Sequence, residues 1–294
     1  MIFLGGLCKL SPESVLQMRQ LIFFVLFTHF SSAFAQHPVL EQRLADYLSQ
    51  LPSSVNLNYR IESLDGNLYA SRSPDERVPS ASIIKIPILV EVMEQVKAQH
   101  FKLTDYYTLQ NTDKVGGAGT ISQQAEGKAY TYEELARQMM ISSDNTATNV
   151  LIRKVGREAV NGRMKLMGFS NLQLNRVMMD TAAVARGIEN YVNATDINRL
   201  LSLIYQRKVA TPALCDLMVA FLLDNHDTTT LPSLIPPQIG IAHKTGTLTY
   251  IRGDAGIIFT QKPFAISVFV RGVSQTQAER IIGEVGKICY EVLK

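Results

Sequence analysis

The sequence predicts an α/β (α+β) protein: one antiparallel sheet flanked by terminal helices, with an all-helical lobe inserted into the chain. Three observations lead there. β-rich runs lie near both ends, over residues 55–71 and 240–270. Helical patterns fill the stretch between them. An amphipathic helix precedes the first strands and another follows the last. The simplest packing joins strands from both ends into one sheet and covers it with the terminal helices. The chain has 294 residues, 46% hydrophobic and 19% charged, which is ample for a sizeable core. A formal charge of +3 with no basic run argues against a nucleic-acid partner.

The first 35 residues read as a signal peptide. Met18-Arg19-Gln20 supplies a short positive start, and Met18 is itself a candidate start codon. Residues 21–30 form an apolar run, and Ala33-Phe34-Ala35 matches an A-x-A cleavage site. The mature chain then begins at Gln36. The apolar run is too short to span a bilayer comfortably, so the expectation is a periplasmic or secreted protein without stable membrane insertion after cleavage. Cys8 follows Gly5-Gly6-Leu7 without a charged n-region and is not read as a lipoprotein signal. The expected division is a signal peptide over 1–35, an α/β lobe over 36–80 and 208–294, and a helical lobe over 81–207.

Residues 39–51 carry Leu40, Leu44, Tyr47, Leu48 and Leu51 at helical spacing. Residues 55–64 alternate, Asp65-Gly66 follows, and 67–71 completes a hairpin with a type I′ turn signal. A helix begins at Ser82 and runs to about Gln99, with Pro87 predicting a bend through the lost bond to Ile83. Residues 104–130 are polar and contain Gly116-Gly117-Ala118-Gly119. No Gly-Lys-Ser/Thr follows, so this is a site-facing or surface loop rather than a phosphate loop. Thr131 and Glu134 form a capping box for a helix through Met140. Helical patterns resume over 147–154 and 157–167, and 169–194 is a long connection of the kind that often carries function. Helices over 195–207 and 212–223 precede strands over 240–249, 254–260 and 263–270. Ser274, with Gln277, caps a final helix to Leu293.

Three stretches carry chemistry. Ser82 and Lys85 stand one helical turn apart, so a serine nucleophile and a lysine base are within reach of each other. Burial and positive neighbours can lower a lysine pKa enough for that task. Free N–H groups at the helix start can stabilise an oxyanion. Alone, Ser-x-x-Lys arises by chance at many solvated helix starts. Ser143-Asp144-Asn145 offers a proton-relaying hydroxyl and a substrate-binding amide at a break between helices, and equally reads as a helix cap. Lys244-Thr245-Gly246-Thr247 offers a charge and hydroxyls to a carboxylate, and equally reads as an edge strand with a solvated lysine. Gly246 removes a side chain where another backbone could approach.

Together and in this order, the three stretches resemble those of class A serine β-lactamases and related penicillin-binding proteins. The resemblance covers nearly all of the mature chain and implies the β-lactamase/transpeptidase-like split architecture. It implies that Ser82 is acylated, that Lys85 is its base or proton shuttle, and that Ser143 protonates the departing nitrogen. Asn145 would hold the substrate's side-chain amide. Lys244, Thr245, Gly246 and Thr247 would hold its carboxylate, with Ser82 and Thr247 N–H groups as the oxyanion hole. Arg252 lies one residue short of where the family often has a carboxylate-binding arginine.

Two departures stand out. The family's long loop reads Arg-x-Glu-x-x-Leu-Asn, its Glu activating the deacylating water. Here Arg176-Val177-Met178-Met179-Asp180 puts a thioether in the place of that base. Asp180 is the candidate replacement, and Glu189 is expected to pair with Arg176. Leu89 and Ala136 occupy the places of the family's disulfide cysteines. Cys215 and Cys289 sit in apolar helical patterns as core thiols, and whether they pair is left open. None of the five histidines has metal-site spacing, and the resemblance implies neither metal nor organic cofactor.

The expectation is therefore a monomeric serine hydrolase opening β-lactams, with slow deacylation if nothing replaces the missing Glu. A D,D-peptidase acting on D-alanyl-D-alanine-like peptides, or a non-catalytic binder of cell-wall peptides, are the alternatives.

Overall fold

A computed structural model of the chain describes residues 37–294. The signal segment, Met18, Cys8 and the cut after Ala35 lie outside the described residues.

Helix α1, Pro38–Leu48, starts with proline where a missing N–H costs nothing, and buries Leu40 and Leu44. Strands β1, Asn56–Ser63, and β2, Leu68–Arg72, form the expected hairpin. Its turn differs from the expected type I′. Gly66 N donates to Ser63 O at 2.9 Å, and Gly66 alone takes a positive φ, whereas type I′ needs two such residues. A register shift after Ile61 absorbs the difference.

The last three strands are β7, Ile241–Leu248, β8, Ile251–Ile258, and β9, Phe264–Arg271. The sheet order is β2-β1-β9-β8-β7, antiparallel throughout, so β1 from one end of the chain pairs with β9 from the other. Strand β8 begins earlier than the alternation suggested. Leu248 faces Ile251, which leaves only Thr249-Tyr250 as the connection and sets Arg252 opposite Thr247.

One sheet face packs Ile61, Ile266 and Val268 against α1 and the closing helix α9, Gln275–Leu293, capped by Ser274 and Gln277. The other face packs Ala255, Ile257, Ala265 and Phe269 into the core of the helical region. Helix α7, Ala194–Tyr205, bonds directly to the sheet: Asn198 Nδ2 donates to Arg60 O at 3.0 Å, and Ser267 Oγ donates to Asn198 Oδ1 at 2.6 Å. Cys289 on α9 and Cys215 on α8, Pro212–Leu223, are free, buried thiols in these two separate cores.

Helix α2, Lys85–Lys97, runs through the helical region with every residue from Lys85 to Met93 buried. Pro87 is its third residue and cannot donate to Ile83 O, so the missing bond falls where the preceding 3₁₀ turn, Ala81–Ile84, passes into the helix. Around α2 lie α3, Tyr132–Ile141, α4, Asn145–Val155, and α5, Arg157–Leu166. The 104–130 stretch includes strands β4, Tyr106–Thr108, and β5, Ala129–Thr131. The long connection holds helix α6, Thr181–Ala185, and strand β6, Tyr191–Val192, which pairs with β3, Val78–Pro79.

Candidate active site

A 3₁₀ turn, Ala81–Ile84, leads into α2 and carries Ser82. No backbone carbonyl accepts from Ser82 N among the described residues, which leaves that N–H free for an incoming oxygen. Lys85 is fully buried, with Nζ 3.1 Å from Ser82 Oγ, 2.9 Å from Ser143 Oγ, 2.6 Å from Ser143 O and 3.0 Å from Asn145 Oδ1. Burial, and then the nearby Lys244 charge, hold its pKa well below that of an ordinary lysine, with Asp144 opposing. Two of the four contacts are carbonyl-type oxygens that only accept, so the amine donates to them, and once it has released a proton it would have a lone pair for a serine hydroxyl proton. Asn145 Nδ2 donates to Gly116 O at 3.1 Å, which fixes the amide with Oδ1 toward Lys85.

The Ser143-Asp144-Asn145 turn is held by two devices. Ser143 takes φ 57°, a left-handed backbone uncommon for serine, which turns both its hydroxyl and its carbonyl onto Lys85. Asp144 is a structural staple: its carboxylate accepts from Ala147 N at 2.8 Å, capping α4, and from Ile121 N at 2.9 Å. The 116–119 loop presses on this turn. A Cβ at Gly119 would lie 2.4 Å from Asp144 Cα, and Asn145 N donates to Ala118 O at 3.0 Å. The glycine-rich stretch thus faces the site, the first of its two sequence readings.

The third element is β7. Lys244 is 1% exposed, and Nζ donates to Thr245 O at 3.1 Å. Burial pulls its pKa down to about 8, with Asp254 and then Asp227 opposing and Arg252 assisting. A Cβ at Gly246 would sit 3.0 Å from Ser80 O and 3.0 Å from Ala81 Cβ, so the glycine lets β7 pack on the turn that carries Ser82. Arg252 does not line the cleft. Its guanidinium reaches Thr247 Oγ1 at 2.6 Å, Asp227 Oδ2 at 2.6 Å and Thr229 Oγ1 at 2.9 Å. Burial pushes the Asp227 carboxyl up, but the Arg252 and Thr229 hydrogen bonds outweigh it and hold the group far below the usual carboxylate range. Among the three stretches, Ser82, Ser143, Asn145, Lys244, Thr245 and Thr247 line one cleft of about 510 Å³.

A model of the β-lactamase enzyme family matches residues 39–293. The chain belongs to that family. A curated relative, β-lactamase L2 of Stenotrophomonas maltophilia, is 29% identical over 114 residues, a match spanning 38% of this chain and 37% of that protein. Among solved structures, a β-lactamase from Sphaerobacter thermophilus is 26% identical with a TM-score of 0.79, covering 86% of this chain and 96% of its own. PBP-A is 25% identical with a TM-score of 0.78, covering 86% and 95%. A PBP-A mutant solved as an acyl-enzyme complex with penicillin G is also 25% identical, with a TM-score of 0.78 and coverage of 86% and 96%.

The long connection carries Met178, where the resemblance led to the expectation of a glutamate. Arg176 and Glu189 pair at 2.7 Å, both nearly buried, as the sequence suggested. Asn190 closes the neck of the loop by accepting from Asn175 N at 2.7 Å and Arg176 N at 2.9 Å. Asn149 on α4 grips Met178 at both backbone groups, accepting from its N at 2.8 Å and donating to its O at 3.0 Å. Met178 itself is buried, and Met179, at φ 63°, is the loop residue that lines the cleft. Asp180 is not brought to the cleft. Its Oδ1 accepts from Ala183 N at 2.8 Å and caps α6, so its carboxylate serves the loop. Leu89 and Ala136, in place of the family's cysteines, are fully buried in the helical core.

Sequence reasoning missed Asn225, His226 and Asp227, which form the outer wall of the cleft. No motif marks them, because they sit in an irregular segment after α8 that the fold brings beside β7. The strand partner of Thr247 was the available clue to Asp227: a buried arginine needs an acid.

Proposed function

We propose that this protein is a serine acyl-transfer hydrolase that opens β-lactams through an ester on Ser82 and releases the product slowly. The observation that carries the reading is the set of contacts around Lys85, whose amine nitrogen lies 3.1 Å from Ser82 Oγ. Lys85 takes the Ser82 proton as Oγ attacks the lactam carbonyl. The oxygen gathering charge rests on the Ser82 and Thr247 N–H groups. Ser143 Oγ gives its proton to the leaving nitrogen and is resupplied by Lys85, 2.9 Å away. Lys244 and Thr245 receive the substrate carboxylate, and Asn145 its side-chain amide.

Deacylation is the weak step. Water attacks the ester efficiently only with a base beside it. Met178 cannot serve, and Asp180 is tied to Ala183 N. Asp227 is the carboxylate that lines the cleft, and Arg252 occupies it. A lasting acyl-enzyme follows, and the same feature favours a second reading, a penicillin-binding D,D-peptidase whose natural substrate is a D-alanyl-D-alanine-like peptide. Both readings place a monomer outside the cytoplasm, as the N-terminal sequence suggests, and neither calls for a cofactor.

Stopped-flow mixing with a chromogenic cephalosporin tests this. The expected trace is a burst of one equivalent followed by turnover at least tenfold slower. Rapid linear turnover without a burst would count against slow release, and no colour change would count against acylation.

A further inference from the structure

Arg252 reaches the cleft only through another side chain. Strand register pairs Thr247 on β7 directly with Arg252 on β8, so both side chains stand on one face of the sheet. Arg252 is 4% exposed and does not line the cleft, whereas Thr247 does. Nη1 of Arg252 donates to Thr247 Oγ1 at 2.6 Å. Nη2 donates to Asp227 Oδ2 at 2.6 Å and to Thr229 Oγ1 at 2.9 Å. Nε lies 3.2 Å from Glu279 Oε1 of α9, an ion pair without an aligned hydrogen bond.

The irregular segment after α8 holds the guanidinium from its far side. Asp227 Oδ1 accepts from Thr229 N at 3.1 Å and from Thr229 Oγ1 at 2.7 Å, so acid, hydroxyl and guanidinium close a triangle. Asp227 N in turn donates to Asn225 Oδ1 at 2.9 Å. The direction of the hydrogen bonds decides what this frame does. A guanidinium has donors and no acceptor. Thr247 Oγ1 therefore accepts from Arg252, and its own O–H has no acceptor among the described residues. The lone-pair side of that oxygen is turned to Arg252, which leaves the O–H the remaining directions, the cleft among them. A hydroxyl that accepts from a cation is also polarised into a better donor. Lys244 and Thr245 line the cleft beside it.

We propose that Arg252 is a positioning residue for carboxylate recognition that acts through Thr247: it holds the Thr247 oxygen as an acceptor, so that the O–H is presented to the substrate carboxylate, while Asp227 and Thr229 hold the guanidinium out of the cleft. This rests on the reading that Lys244 and Thr245 receive that carboxylate. It replaces the direct arginine–carboxylate contact that the resemblance implied, and it gives the buried Arg252–Asp227 pair a task in the cleft that neither touches the reacting atoms to perform.

The test is a double-mutant cycle on the second-order rate constant for acylation, read by intact mass with penicillin G and with its methyl ester. Thr247→Val removes the hydroxyl and keeps the shape. It should slow penicillin G by about 10–100-fold and the uncharged ester by less than about fivefold. Arg252→Met removes the donors and keeps an unbranched stem. It should slow penicillin G at least about fivefold and leave the ester within about twofold. In the Thr247→Val background, Arg252→Met should cost no more than about a further twofold, because the hydroxyl it acts through is already gone. Thermal melts check folding. Should Arg252→Met not fold, the same cycle is run in Asp227→Asn, where that acid is not left as an unpaired charge. Losses that multiply across the two sites, equal losses with penicillin G and its ester, or an unchanged rate in Thr247→Val each overturn the proposal and leave Arg252 a structural tie between β8 and the wall of the cleft. Wild type that penicillin G never acylates sinks the functional reading instead, so the two failures are distinguishable.

Discussion

Lys85 Nζ meets Ser143 twice, at the carbonyl at 2.6 Å and the hydroxyl at 2.9 Å, across 58 residues of chain. That double contact is made from a left-handed backbone, Ser143 φ 57°, which is uncommon for a serine. It ties the proton acceptor of the first step to the proton donor of the second. One amine can therefore collect a proton from Ser82 and pass one on through Ser143.

Lys85→Ala is expected to slow acylation by 10²–10⁴-fold, the usual worth of a positioned base. The wild-type pH profile carries the sign. The Lys85 pKa is lowered, so the neutral base is present above it and is lost as pH falls through it. Acylation should therefore decline on the acid side in wild type, and Lys85→Arg, charged at every accessible pH, should not recover at high pH. Adduct formation followed by mass over pH 4–9 checks both variants. An unchanged acid limb in Lys85→Ala would assign that limb elsewhere.

Lys244→Ala is expected to cost about 2–5 kcal/mol in kcat/KM for carboxylate-bearing lactams. An ester analogue lacking the negative charge should show little difference between the two proteins. Equal losses with both substrates would point to a packing role for the Lys244 stem.

Met178→Glu is expected to speed deacylation, by up to 10²–10⁴-fold if the carboxylate reaches the water that attacks the acyl carbon. Asn149 already fixes the Met178 backbone at both groups, so the substitution changes a side chain on a held frame. Asp180→Asn should leave deacylation unchanged, and Asp180→Ala should lower stability by about 1 kcal/mol through the lost cap of α6. Single-turnover decay of the adduct separates the cases. Loss of only the second step in Asp180→Asn would make Asp180 the base after all.

The three motifs were legible in the sequence because each is local: Ser82 and Lys85 share a helical turn, and Lys244 to Thr247 share a strand. The capping boxes at Thr131 and Ser274 were legible for the same reason, and both form. What stayed hidden depends on tertiary contact. Nothing in the stretch 225–230 predicts that Asp227 will meet Arg252, or that Thr230 will meet Asp254, because those partners lie on a strand more than twenty residues away. The hairpin turn was misread because Asp65-Gly66 suits more than one turn type, and only the register shift after Ile61 decides between them. Asp180 looked like a base because sequence gives proximity along the chain and not direction. A carboxylate beginning a helix is drawn to its N–H groups.

Gly119→Ala is expected to lower stability by about 1–3 kcal/mol, read as a drop in Tm, because it combines a strained backbone with overpacking. Gly119 sits at φ 96°, and its Cβ would meet both the Asp144 carboxylate, which two backbone N–H groups hold in place, and the Asp144 Cα. Acylation should fall as well, since that loop positions Asn145 through Ala118 O. Gly66→Ala, also at positive φ but with open space around it, should show the strain alone and leave acylation intact.

The most direct measurement is intact-protein mass spectrometry after mixing with penicillin G, followed by peptide mapping. The account predicts one adduct per chain with the full mass of the drug, mapped to Ser82, still present after minutes, and absent from Ser82→Ala. No adduct on wild type, an adduct on another residue, or the same adduct on Ser82→Ala would contradict it.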